Sequence, residues 1–424
     1  MKPLFRLAGL ALAATTLFAQ NFAGDWQGTL KAGTSSLRVV LKIEKATDGK
    51  LSSKLYTLDA GPDATRADAI TTDGQVINLT FDSLKGKFTG TLTADGNTLK
   101  GTWKQVGNLP IDLERATKAT AWPLDSDKHK AQFVTVDTDV KLEVLDWGGT
   151  GKPLVFLAGL GNSAHVFDEF APKFTATHHV YGITSRGFGE SSSPKTGYQS
   201  DRLGDDVLAV LDALKLDRAV LAGHSIAGEE LSSIGSRHPE KVAGLIYLDA
   251  GFPYAFYDKE RGNLDMDLPE IMKKLDRLTL GKGGLDLKKV VKELLEKDLP
   301  LLQKLVADKQ ADLEASPPNP NGLINPGPAQ WVLDGRQKYT NVPVPVLAIY
   351  ALPHAPPAQL KSYTTLIAKM EARDLETTGA QAAAFEKGIP TARVVRIPHA
   401  DHYVFRSNEA EVLKEMNAFL SGLK

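Results

Sequence analysis

From residue 131 onward the chain repeats one pattern: a short, uninterrupted apolar run followed by a stretch with helical spacing. Pro153-Leu-Val-Phe-Leu-Ala158, His179-Val-Tyr-Gly-Ile183, Arg218-Ala-Val-Leu-Ala222 and Val242-Ala-Gly-Leu-Ile-Tyr-Leu248 are apolar at nearly every position. Strands read this way when both faces of their sheet are covered, as in parallel sheets. Between the second and third runs, Leu203, Val207, Val210, Leu211 and Leu214 recur at i, i+4, i+7, i+8 and i+11, one face of a helix over residues 202–215. Strand, helix and strand at this spacing predict right-handed crossovers in a mostly parallel sheet, which is an α/β fold. Residues 133–136 and 141–145 open it as a hairpin, residues 342–350 and 392–397 supply its last strands, and residues 409–420 close it as a helix.

The block between Leu248 and Val342 departs from this rhythm. Residues 268–275 and 285–309 read as charged helices, with Asp267 placed to cap the first and Pro269 just inside it. Ser316-Pro-Pro-Asn-Pro-Asn-Gly322 reads as a loop. The expectation is a helical lid over about residues 250–340, set above the carboxyl edge of the sheet.

Residues 20–117 carry the other periodicity. Val39, Leu41 and Ile43 alternate with Arg38, Lys42 and Glu44, the period of a half-buried strand. Asp48-Gly49, Asp73-Gly74 and Asp95-Gly96 supply the positive φ angles that tight hairpins need. The expectation is a small all-β barrel or sandwich preceding the α/β domain of residues 131–424. Trp26 and Trp103 stand in similar Gly-Asp-Trp and Gly-Thr-Trp settings, as if on related edges. A packing role suits this region, and a glycan or lipid is its candidate ligand.

Residues 1–19 begin with Lys2 and Arg6, continue through an apolar run too short to span a bilayer, and end on small Ala19. That is the pattern of a signal peptide, so the chain is expected to be exported, periplasmic or secreted, with no membrane span in its mature part. With no cysteine in 424 residues, a disulfide framework, a thiolate metal site and a cysteine nucleophile are excluded. A formal net charge of −1 offers no field for nucleic acid or an anionic membrane. No ligand cluster or phosphate loop appears, so neither metal nor organic cofactor is expected, and the partner is a small-molecule substrate.

The run Leu221-Ala-Gly-His-Ser225-Ile-Ala-Gly228 follows a buried strand and precedes a helix over about residues 226–237. A serine on such a sharp strand-to-helix turn needs small neighbours and has its hydroxyl thrust outward. Gly223 meets the requirement; Ala227 stands where glycine is usual. A serine hydroxyl needs a base, and the base needs an orienting group. Ile397-Pro-His399-Ala-Asp401-His402-Tyr-Val-Phe405 follows the last strand and offers two histidines. His402 is chosen as base, His399 as a loop residue, and His224, His165 and His354 are read as structural. The strand ending at Tyr350 is followed by Ala-Leu-Pro-His354 with no carboxylate, so Asp249, after Leu248, is the candidate acid. Asp401 is rejected because adjacent side chains diverge. Ile226 N–H, at the positive end of a helix, and Leu160 N–H, in the turn Gly159-Leu-Gly-Asn162, are the candidate oxyanion donors. Phe252, Tyr254, Phe256 and Tyr257 follow Asp249 closely and are candidates for the pocket lining.

Together these residues resemble the α/β-hydrolase superfamily over about residues 131–424. Ala158-Gly159 stands where that family often has His-Gly, and Ser185-Arg-Gly-Phe-Gly-Glu-Ser191 is similar to its Arg-Gly-x-Gly-x-Ser signature. Met416 and Phe419 lie in a closing helix like the family's last one. The resemblance is greatest to capped esterases, peptidases and cofactor-free haloperoxidases, since a serine at the elbow argues against dehalogenases and epoxide hydrolases. It implies a serine hydrolase acting on a carboxylic ester or related acyl bond. The missing carboxylate after the penultimate strand is a departure from the family pattern. A non-catalytic receptor on the same fold, or a carbon–carbon hydrolase or perhydrolase using the same three residues, are the competing readings.

Overall fold

The computed structural model describes residues 21–32, 35–58, 64–105, 107–122, 128–279, 286–315, 327–356, 360 and 363–423. The chain divides into two compact units, residues 1–124 and 125–424. The basic and apolar segment of residues 1–19 lies outside the described residues.

The first unit is one antiparallel sheet of nine strands: β1 (Gly24–Ala32), β2 (Ser35–Lys45), β3 (Leu51–Thr57), β4 (Ala64–Arg66), β5 (Ala69–Asp73), β6 (Val76–Phe81), β7 (Gly86–Leu92), β8 (Thr98–Lys104) and β9 (Asn108–Arg115), in the order β4-β3-β2-β1-β9-β8-β7-β6-β5. Period-2 patterning sends Val39, Leu41, Ile43, Phe81, Phe88, Leu99 and Leu113 to one buried face. Gly74 and Gly96 take φ angles of 53° and 71° in the turns that join β5 to β6 and β7 to β8. The described strands of this unit form one continuous sheet rather than two, so the sandwich alternative is set aside. The tryptophans do not mark edges either: Trp26 lies on β1 and Trp103 on β8, both interior strands, while β4 and β5 are the edges. Their shared setting reflects burial. Trp26 is fully buried, its indole N–H donates to Phe22 O at 2.9 Å, and the Arg115 guanidinium lies 4.1 Å from its ring centre.

The second unit is built on an eight-stranded mixed sheet of β10 (Lys130–Asp137), β11 (Val140–Gly148), β12 (Lys152–Leu157), β13 (His178–Ile183), β14 (Ala219–His224), β15 (Val242–Leu248), β16 (Val346–Ala351) and β17 (Ala392–Ile397). Their order is β10-β11-β13-β12-β14-β15-β16-β17. The β10/β11 and β11/β13 pairs are antiparallel; every ladder from β13 to β17 is parallel. In register, Leu157 lies opposite Gly223, Gly223 opposite Tyr247, Leu248 opposite Ile349 and Ala351 opposite Ile397. The residues just past these strands therefore meet at one carboxyl edge, where open parallel sheets place their ligands.

Helices α1 (Ser200–Ala213), α2 (Gly228–Arg237), α7 (Thr364–Gly388), α8 (Val404–Ser407) and α9 (Glu409–Gly422) connect or follow the strands. Between β15 and β16 come α3 (Leu264–Thr279), α4 (Leu287–Glu293), α5 (Leu299–Ala315) and α6 (Pro328–Asp334). Asp267 does not cap α3, which begins one turn earlier. Asn263 Oδ1 accepts the Met266 N–H at 3.2 Å, and Asp267 Oδ2 reaches back to the Asn263 N–H at 2.6 Å. This is a reciprocal cap with an aspartate in the returning role. Ile271, Val290 and Leu294 form a small core of the insertion, and Met272, Leu295, Val306 and Leu313 are left exposed. Two apolar layers sandwich the sheet, one including Leu221, Leu245 and Phe385, the other Phe156, Ile246 and Phe405.

Candidate active site

Ser225 sits at the tip of a sharp turn. Its φ of 53° is strained for a side-chain-bearing residue, and a single 3-10 turn, Ser225–Ala227, joins β14 to α2. The close fit explains the small neighbours. A Cβ on Gly159 would lie 2.8 Å from His224 Nδ1 and 3.1 Å from Ser225 Cβ. A Cβ on Gly228 would lie 2.1 Å from Ala250 O, whereas the methyl of Ala227 is accommodated in the core. Position 228 of this turn has no room for a side chain, while the alanine at 227 packs its methyl into the core.

His402, in the loop after β17, points Nε2 at Ser225 Oγ across 2.9 Å and Nδ1 at Asp249 Oδ2 across 2.6 Å. Asp249 accepts only, so Nδ1 carries the proton and Nε2 is free to accept from the serine hydroxyl. Asp249 is fully buried at the end of β15. Burial pushes its carboxyl up, but hydrogen bonds from His354 and His402 outweigh that and hold it below the usual carboxylate value. Its second oxygen accepts the Ala351 N–H at 3.0 Å. Geometry thus brings Ser225, His402 and Asp249 into one hydrogen-bonded line.

Behind that line stands His224. Its Nε2 donates to His402 O at 3.0 Å, and its ring packs 4.6 Å from that of His402 and 4.7 Å from that of Tyr403. Burial, then the neighbouring His402, lowers its pKa to about 4, so it stays neutral. Asp401 accepts the Tyr403 N–H at 2.9 Å and stays out of the line. His399 lies on the exposed loop, 3.7 Å from Glu371.

The candidate pocket residues separate. Tyr254 shares an apolar patch with Ile226, Leu160 and Tyr198. Its phenol is pushed well above its usual pKa by burial and then by the Asp249 charge, with a hydrogen bond to Ser225 working the other way. Phe252 lines a crevice bounded by α3, α5 and α7. Phe256 does not face the site: it packs on Phe385 in the core, with ring centres 6.0 Å apart. Tyr257 is also directed elsewhere, donating to Asp267 Oδ1 at 2.5 Å beneath the Lys338 ammonium. One turn of chain after Asp249 alternates its direction, so proximity in sequence did not put all four rings in one place.

One residue read as structural belongs here. His354, just past β16, directs Nε2 to Asp249 Oδ2 at 2.8 Å and Nδ1 to Asp374 Oδ2 at 2.9 Å. The signal available in the sequence was its position, at the strand end where the α/β-hydrolase pattern expects the acid.

Among the described residues, two groups of ligand-type side chains lie close enough to hold a cation: Asp249, His354 and His402, and His129, His165 and Asp168. In both, hydrogen bonds already connect the atoms concerned. Asp168 Oδ1, for example, accepts from His129 Nδ1 and from Trp147 Nε1, each at 2.9 Å.

Comparison with known proteins places this site in a family. Residues 152–408, more than half the chain and including Ser225, Asp249 and His402, match the model of the alpha/beta hydrolase fold. This chain belongs to the α/β-hydrolase family. A putative non-heme haloperoxidase of Mycobacterium phage D29 is 38% identical over 112 residues, 26% of this hydrolase and 40% of the phage protein. An AB hydrolase superfamily protein of Bacillus subtilis is 31% identical over 229 residues, 51% of this chain and 80% of the relative. Among solved structures, the E-2-(acetamidomethylene)succinate hydrolase has 19% identity and a TM-score of 0.45, covering 69% of this chain and all of its own. As a member of this family, the chain is an enzyme of the α/β-hydrolase class. The buried Arg186 of the Arg-Gly-x-Gly-x-Ser segment serves the scaffold, gripping Asp206 with Nε at 2.6 Å and Nη2 at 2.7 Å.

Proposed function

We propose that the protein is a serine hydrolase cleaving a carboxylic ester or related acyl bond. The observation that carries this reading is the line Ser225 Oγ, His402 Nε2, His402 Nδ1, Asp249 Oδ2, with contacts of 2.9 and 2.6 Å. Ser225 Oγ attacks the carbonyl carbon while His402 takes the hydroxyl proton. The oxyanion is held by the Ile226 and Leu160 N–H groups. The carbon–oxygen bond to the alcohol then breaks, and His402 returns the proton to the leaving alkoxide. Water, deprotonated by His402, attacks the acyl-serine and releases the acid. Asp249 keeps the imidazole in the productive tautomer throughout. Tyr254 lines the pocket beside Ser225, and α3 to α6 act as the helical lid.

The test is p-nitrophenyl ester turnover by the wild type and by Ser225→Ala. The expected outcome is a loss of about 10⁴-fold or more in kcat with folding intact. Equal turnover rejects the reading. The haloperoxidase names among the relatives favour one further use of the same residues, with hydrogen peroxide replacing water against the acyl-serine. A substrate panel with peroxide separates the two.

For the β unit we propose an apolar ligand. It encloses a cavity of about 240 Å³ whose lining includes Leu41, Leu55, Phe81, Phe88, Trp103 and Leu113. That lining favours a lipid acyl chain over a glycan, which would need polar partners. Export is proposed from residues 1–19 alone; a mature amino terminus near residue 20 is the expected result of sequencing the purified protein.

A further inference from the structure

We propose that His354 is a positioning residue, an imidazolium clamped between Asp249 and Asp374 that fixes the carboxylate orienting His402. This rests on reading Ser225, His402 and Asp249 as the triad.

The geometry points to a cation. Both ring nitrogens of His354 face carboxylate oxygens, Nε2 at 2.8 Å from Asp249 and Nδ1 at 2.9 Å from Asp374. A neutral imidazole has one N–H and would turn a lone pair on one of those anions; only the doubly protonated ring donates to both. Asp374 also accepts the His354 backbone N–H at 2.7 Å, and its other oxygen accepts from Thr378 at 2.6 Å. The clamp is therefore itself anchored to α7. Burial works against the charge, yet the two carboxylates prevail and raise the His354 pKa to about 10.

The clamp also answers a problem of topology. The acid comes from the end of β15, one strand short of the place the family pattern expects, and His354 fills the expected place at the end of β16. Its backbone is bridged to Ala400, two residues before His402, and Ala355 N–H donates to Ala400 O at 2.8 Å. A single oxygen, Asp249 Oδ2, thus receives both histidines, and the loops that carry them are tied together. The charge on His354 thus stands beside the carboxylate that orients His402, with the two ring centres 6.3 Å apart.

The other charges around His354 have partners of their own. Asp249 and the His402 ring face it from the β15 end and the loop after β17, and Asp374 faces it from α7. Glu371, Arg373 and Asp312 line the same crevice from α7 and α5. Arg373 Nε donates to Asp312 at 2.7 Å and its Nη1 to Glu376 at 2.9 Å, while Glu371 lies 3.7 Å from His399.

The experiment is an NMR titration of the imidazoles in full-length, isotopically labelled protein, wild type and His354→Gln, alongside kcat/KM against pH for the same proteins and His354→Ala. Glutamine keeps a donor for Asp249 but removes the charge. We expect His354 protonated on both nitrogens at neutral pH in the wild type, and the acidic limb of kcat/KM displaced upward in His354→Gln, which lacks that charge. His354→Ala should lower kcat about 10- to 100-fold more than His354→Gln, with KM little changed. A neutral His354 at pH 7, or an unmoved acidic limb of kcat/KM in a folded His354→Gln, overturns the proposal. Absence of Ser225-dependent turnover in the wild type would instead indict the hydrolase reading, because the titration does not depend on turnover.

Discussion

Replacing Asp249 by Asn changes one atom and sets the hydrogen-bond pattern against itself. Oδ1 accepts the Ala351 N–H at 3.0 Å, and Oδ2 accepts from His402 and His354 at 2.6 and 2.8 Å. An amide has one acceptor for these two places. If its NH2 turns to Ala351, two donors face each other in a fully buried position. If it turns to the histidines, His402 must present a lone pair at Nδ1, and its proton moves to Nε2, opposite Ser225 Oγ, where it blocks general-base catalysis. Loss of the orienting carboxylate in a buried triad lowers kcat by about 10⁴-fold, or about 5 kcal/mol of transition-state stabilisation. The assay is kcat on a p-nitrophenyl ester at pH 8, with thermal unfolding run in parallel to exclude a global effect. A folded Asp249→Asn retaining more than a tenth of wild-type kcat would refute the assignment of Asp249 as the orienting acid.

The same contacts set other outcomes. His224 has a folded-state pKa of about 4 against 6.5 in the unfolded chain, so the unfolded chain takes up its proton first as the pH falls. Stability should be indifferent to this group above pH 6.5 and decline between 6.5 and 4 by about 3 kcal/mol, and His224→Gln should flatten that part of a denaturant-measured stability profile. His354 acts in the opposite sense, since its folded-state pKa of about 10 lies above 6.5; its contribution is complete below pH 6.5 and lost as the pH rises through 10, which urea unfolding at pH 7 and pH 10.5 would register. Arg186→Ala leaves Asp206 buried without its bidentate partner and should destabilise the hydrolase unit by about 3–5 kcal/mol; adding Asp206→Leu should recover much of that in a double-mutant cycle. In the β unit, Leu41→Trp should fill the apolar cavity and abolish displacement-detected binding of a fluorescent fatty acid without altering ester turnover.

Much of this architecture was legible because its signals are local. The apolar runs ending at Ala158, Ala222 and Leu248 could be strands of a covered sheet and little else, and Ser225 followed one of them directly. The Asp-Gly pairs fixed the hairpins of the β unit in the same way. What escaped notice depends on residues distant in the chain. His354 lies 105 positions from Asp249 and became part of the site only when β15 and β16 paired. Helix α7 was not foreseen because its inward face holds Thr378, Gln381, Ala382 and Phe385, two polar and one small residue among four, which makes no apolar stripe. Phe256 and Tyr257 looked like pocket residues from their distance to Asp249, but the direction of each ring was decided by Phe385 and Asp267, partners that proximity in sequence does not reveal.

Every functional role proposed for this site depends on Ser225 being a nucleophile activated by His402. Intact-mass analysis after exposure to a fluorophosphonate reports serine reactivity without requiring the right substrate. One adduct per chain on the peptide carrying Ser225, abolished in Ser225→Ala and strongly slowed in His402→Ala, is the predicted result. A folded wild-type protein that never labels at Ser225, or labels equally fast without His402, would contradict it.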